Sequence, residues 1–83
     1  MHELSLALEV ARLAGEVLER EGAASITAIG VEVGDAAGIE LANFRFCLDA
    51  VLSEPPFVGA RADIVEAAGD SLRLRYVEVD DGR

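Results

Sequence analysis

Apolar residues along the first twenty positions recur at the spacing of a helix. Leu6, Val10, Leu13 and Val17 form one row, and Leu4, Leu8, Ala11 and Leu18 a second beside it. The opposite arc, Ser5, Glu9, Arg12, Glu16 and Glu19, is polar, so the spacing predicts an amphipathic helix from Leu4 to about Arg20. Gly22 is placed to end it, because glycine adopts the left-handed conformation common just past a helix C-terminus. From Ser25 to Val33 the chain is rich in β-branched residues. They alternate between Thr27, Ile29, Val31, Val33 and Ile26, Ala28, Gly30, Glu32, which predicts a strand. After a loop at 34–38, helical spacing returns through Leu41, Phe44, Leu48, Val51 and Leu52, and Pro55 and Pro56 stop this second helix near Ser53. Phe44 and Phe46 are read as core and edge-of-core residues of that helix.

Two further strands are expected, Val58–Val65 and Ser71–Asp80, with Ala68, Gly69 and Asp70 as the turn of an antiparallel hairpin. Within the last strand the buried phase slips from Leu72 and Leu74 to Val77 and Val79, which points to a bulge near Tyr76 or a strand covered on both faces, the bulge being favoured. The order α-β-α-β-β gives an α+β fold, a three-stranded mixed sheet with both helices on one face. If the first two strands are neighbours, the crossover through the second helix makes them parallel.

Eighty-three residues allow one small domain, and an apolar fraction of 52% places it among ordinary globular proteins. Sixteen acidic against seven basic side chains leave a net charge of −9, which disfavours nucleic acid and anionic membranes as partners. The bland reading of that excess is a solvated acidic surface. The first helical segment is interrupted by Glu3, Glu9, Arg12 and Glu16, so it suits neither a signal peptide nor a membrane span, and a cytoplasmic location is expected. The single cysteine, Cys47, lies in an apolar run and reads as a core thiol of a reducing compartment. With one histidine and no Ser-His-Asp set or phosphate loop, the chain carries no catalytic constellation, and a non-enzymatic role is expected.

The candidate chemistry sits at the start. A histidine at position 2 brings together three nitrogen donors, the Met1 α-amine and the backbone amide and imidazole of His2. They close fused chelate rings that suit a square-planar ion, Ni(II) or Cu(II), better than Zn(II) or Mg(II). Glu3 reads as a negative charge at the positive end of the first helix, and Glu40, at the start of the second helix, as the same device there. Arg61, Arg73 and Arg75 on the last two strands are either solvated charges that protect a sheet edge or contacts for an acidic partner.

Met1-His2-Glu3-Leu4-Ser5 at the terminus, Val31 to Gly34, Glu40 with Phe44 and Phe46, Gly69-Asp70-Ser71-Leu72, and Val77-Glu78-Val79 resemble the HypA/HybF family of nickel-insertion accessory proteins for nickel-iron hydrogenases and urease. The resemblance implies a nickel metallochaperone that holds Ni(II) through Met1 and His2, with Glu3 and Glu40 as further candidate ligands. It also implies a HypB-type GTPase and a hydrogenase large-subunit precursor as partners. Family members carry a separate zinc module with two Cys-x-x-Cys pairs, inserted between two strands. One cysteine cannot build such a site, so residues 1–83 are expected to be a single nickel-binding domain in which a short turn near 66–70 replaces the module, with no zinc. A second function consistent with the same residues is a family member that has lost metal transfer and acts as a docking module in the maturation pathway.

Overall fold

The computed structural model describes residues 3–82. Its elements are α1 (Glu3–Glu21), β1 (Ser25–Gly34), α2 (Leu41–Val51), β2 (Arg61–Ala67) and β3 (Leu72–Asp80). They form the expected α+β fold with a three-stranded mixed sheet.

Helix α1 stops where glycine permits. Gly22 has φ +63, its N–H donates to the Glu19 carbonyl, and the Ala23 N–H reaches back to Leu18. That pair of bonds is a Schellman closure. The buried stripe of α1 is narrow, Ala7, Val10 and Ala14, and it runs between the two apolar rows of the sequence. Small residues at the centre of the stripe let the helix approach the sheet closely, while Leu6, Ala11 and Leu18 pack at its margins. Leu4 and Leu8 remain about half exposed.

The sheet order is β2-β1-β3, with β1 parallel to β2 and antiparallel to β3. The parallel relation of the first two strands is as expected, whereas the hairpin between β2 and β3 is not formed. These two strands do run in opposite directions, but β1 lies between them. The reason is burial: β1 is covered along most of its length, with Ile29, Val31 and Val33 against the helices and Ala28 and Gly30 buried on the other face. A β2–β3 hairpin would leave this apolar strand at an edge. Strands two places apart are about 9.6 Å from one another, a gap that three extended residues can span. The connection therefore passes over the end of β1. There the Gly34 N–H donates to Ser71 O at 2.8 Å, Asp35 N–H to Ala67 O at 2.7 Å and Ala36 N–H to Gly69 O at 2.7 Å.

Two irregularities interrupt the β1–β3 ladder. One lies between Ile26 and Ala28, so Thr27 turns outward and Ile26 joins the core on the same side as Ile29, against simple alternation. The other lies between Gly30 and Val31, where Tyr76 and Leu74 are the successive partners and Arg75 is the extra residue, which is the bulge expected near Tyr76.

Strand β2 begins three residues later than the sequence suggests. Phe57 N–H bonds to Glu54 O and Ala60 N–H to Phe57 O, with Gly59 at φ +81. These turns drop the Phe57 ring into the core before the strand starts. Phe44, Leu48 and Leu52 of the α2 region meet Val10 of α1 and Ile29, Val31 and Val33 of β1 in one cluster. Phe46 is not at the edge of that core: it is 73% exposed, because it falls on the outer arc of α2.

Candidate functional site

The starts of α1 and α2 meet at one end of the molecule. Glu3, the first described residue, is nearly buried, with 9% of its surface exposed. One of its carboxylate oxygens accepts the backbone N–H of Glu40 at 3.2 Å, and the other accepts Nδ2 of Asn43 at 3.0 Å. These bonds favour the ionised form, so the carboxyl lies below the usual carboxylate range, held there first by the Glu40 amide and then by the Asn43 side chain. Glu3 is thus a charged clasp between the two helices.

Glu40 is the N-cap of α2. Its backbone is extended (φ −83, ψ 108), and its side chain accepts the N–H groups of Ala42 at 3.3 Å and Asn43 at 2.7 Å. Two of the donors that a helix start leaves unpaired are satisfied in this way. The helix-start reading of Glu40 therefore has a definite geometry, and the same geometry brings its carboxylate to the end where Glu3 is fixed. A carboxylate has about four lone-pair positions, so these bonds leave both glutamates capacity for a further partner.

Of the four sequence candidates, Glu3 and Glu40 are brought together, while Met1 and His2 lie outside the described residues. Among the described residues, no group of three or more His, Cys, Asp or Glu is placed to hold a metal ion. Sequence reasoning missed Asn43. Its signal was faint: a polar residue three positions after Glu40, on the flank of α2 that turns toward α1. Cys47 is half-buried one turn later, its Sγ 4.0 Å from Asn43 Oδ1.

The other notable side-chain cluster lies on the sheet face away from the helices. Arg61 pairs with Asp63 at 3.0 Å, and the Tyr76 hydroxyl donates to Asp63 from across the central strand. Arg61 also lies 3.8 Å from Glu78, and Arg73 is 3.9 Å from Glu32. Arg75 forms the bulge. No described helix is long and apolar enough to cross a membrane.

A family model described as "Hydrogenase/urease nickel incorporation, metallochaperone, hypA" matches residues 1–72. The chain is 36% identical over 79 residues to the hydrogenase maturation factor HypA of Azoarcus sp. (strain BH72), covering 95% of this chain and 69% of that protein. It is 37% identical over 71 residues to the HypA of Polaromonas naphthalenivorans (strain CJ2), covering 86% of this chain and 62% of the relative. The chain thus spans roughly two thirds of the length of these relatives. Among solved structures, the Ni metallochaperone HypA from Helicobacter pylori superposes with a TM-score of 0.82 over 96% of this chain and 98% of that one, at 16% identity, a likeness of fold. The family model over residues 1–72 and these relatives, together with the shared fold, lead to one conclusion: the chain belongs to the HypA family, whose members are metallochaperones rather than enzymes.

Proposed function

We propose that this protein carries Ni(II) as cargo at its N-terminus and delivers it during maturation of a nickel enzyme, a [NiFe]-hydrogenase. The observation that carries the reading is the Glu3 clasp. By tying the first turn of α1 to the Glu40 amide and to Asn43, it anchors the residue that directly follows His2 and sets an ionised carboxylate there.

The Met1 amine and the amide and imidazole of His2 supply three nitrogens in fused rings, a donor set for a square-planar ion that displaces an amide proton. Glu3 and Glu40, at the starts of the two helices, add negative charge at this end of the molecule and are the candidates for the remaining oxygen donor. Three nitrogens leave one in-plane position for an exchangeable donor, which suits transfer, because a chaperone has to give up its ion. A single cysteine cannot build a four-cysteine zinc site, and the short connection at 68–71 between β2 and β3 stands where family members carry a zinc module. A HypB-type GTPase and a hydrogenase large-subunit precursor are the partners this role requires.

The test is a Ni(II) titration by calorimetry and absorption on protein that begins at Met1 without a tag, beside His2→Ala and Glu3→Gln. One-to-one binding with the yellow band of square-planar nickel is expected, lost in His2→Ala and weakened in Glu3→Gln. Equal binding by the parent and His2→Ala overturns the nickel reading and leaves a docking role in the pathway.

A further inference from the structure

Strand β3 is an outer strand: β1 pairs with one of its edges, and among the described residues no strand pairs with the other. An unpaired edge is a template for another strand, and charges or a bulge are the usual protection against it. Here β3 has both, in Arg73, Arg75 and the extra residue at Arg75. Their arrangement, however, suits one particular partner.

The exposure of β3 reads the same in both directions about the midpoint between Arg75 and Tyr76. Leu72, Leu74, Val77 and Val79 are half-buried toward the helices, and Arg73, Arg75, Tyr76 and Glu78 are exposed. The bulge produces this symmetry, because in a regular strand of the same residues Leu72 and Leu74 would face the side opposite to Val77 and Val79. Directly opposed residues of an antiparallel pair share a face. A second copy of β3 laid antiparallel about that midpoint therefore sets Leu72 opposite Val79, Leu74 opposite Val77 and Arg73 opposite Glu78, each pair occurring twice. Arg75 then lies opposite Tyr76 on the same face of the sheet.

Two further features support a second copy as the occupant. Arg73, Arg75, Glu78 and Asp80 cancel in charge, so this strand is neutral in a chain of net charge −9. Beside it runs a groove of about 390 Å³ between α1 and β3, with Leu13, Val17 and Leu74 as apolar lining and Glu16, Arg20 and Arg73 as charged lining. Side chains from a second copy would fill it. The contacts of Arg73 with Glu32 at 3.9 Å and of Glu78 with Arg61 at 3.8 Å are long and exposed, leaving both charges available across the two-fold axis.

The geometry points to a symmetric homodimer in which two β3 strands pair antiparallel about Arg75 and Tyr76, joining two three-stranded sheets into one of six strands. Sedimentation velocity on the untagged full chain tests it, with a concentration-dependent shift from monomer to dimer expected. Arg73→Glu, which opposes like charges twice, raises the dissociation constant by at least about tenfold, and adding Glu78→Arg restores it. Register is read by oxidising Arg73→Cys/Glu78→Cys in a Cys47→Ala background. Within one chain those positions are about 17 Å apart, beyond disulfide reach, so a covalent product joins two chains. The control pair Arg73→Cys/Asp80→Cys is two residues out of that register, about 8 Å apart across the pair, and it stays uncross-linked. A monomer at every concentration overturns the proposal and leaves the edge to a strand of another protein or to solvent. A dimer in which the control pair cross-links as readily as the opposed pair overturns it too.

Discussion

The ring of Tyr76 occupies the space that a Cβ on Gly30 would need. Tyr76 stands on β3 and Gly30 on β1, and the missing side chain lets the phenol pass over the central strand to reach Asp63 on β2. Gly34, four residues along the same strand, is tight for another reason: a Cβ there would strike the backbone of Gly69 and Ser71 where the connection crosses. A partly exposed ring can swing outward, whereas a hydrogen-bonded backbone cannot. Gly34→Ala is therefore expected to cost about 1–3 kcal/mol, the usual range for forced overpacking. Gly30→Ala costs less and releases Tyr76. Denaturant melts of both variants give the order, and a larger loss for Gly30→Ala would contradict it.

Tyr76 is the only tyrosine and the chain has no tryptophan, so its ionisation can be followed directly by absorbance. Its phenol is raised above the ordinary value near 10, first by its hydrogen bond to the Asp63 carboxylate. Arg61 opposes that shift without cancelling it. The stabilisation from Tyr76 is present below the unfolded value and is lost as pH rises through the higher folded one. Asp63 behaves in the opposite sense. Arg61 first, then Tyr76, hold it below the usual carboxylate range, so its contribution is present above about pH 4 and is lost as pH falls through the folded value. Asp63→Asn should bring the tyrosine midpoint back toward 10, and an unchanged midpoint would show that the bond to Asp63 does not set it.

Glu40 combines a structural and a proposed chemical role, which can be separated. Glu40→Ala removes the α2 cap and should cost about 1 kcal/mol. Glu40→Ser restores a capping oxygen but no carboxylate, so stability recovers while nickel affinity stays lowered. Recovery of both would show that Glu40 serves the cap alone.

Glu3→Ala leaves the Glu40 amide and the Asn43 side chain without their acceptor. Hydrogen exchange should then speed up at the Glu40 amide and in the first turn of α1, while the Schellman end at Gly22 and Ala23 is unaffected. A uniform acceleration along α1 would mean that Glu3 supports the whole helix rather than its start.

What could be read from the sequence follows the range of the interactions. The ends of α1, the prolines after α2 and the bulge near Tyr76 are written in short stretches of chain, and all are found in the structure. The choice of neighbour for β2 and β3 is not local. Each alternates well enough to pair with any strand, and the decision rests on β1, which must be covered on both faces and so takes the centre. Asn43 was missed because its partner Glu3 lies forty residues away in sequence. The Tyr76 bridge needed three strands in register before it could be seen.

The sheet also gives the molecule a polarity. The end of β1 at Gly34, the crossing at 67–71 and the starts of α1 and α2 gather at one pole. At the other, the Ala24 N–H bonds to Asp80 O and Gly82 lies against Ala24. An affinity tag, a fluorophore or a surface tether attached after Gly82 would thus sit at the far end of the long helix from Glu3. Immobilised there, the protein would keep the pole that carries Glu3 and the two helix starts away from the support.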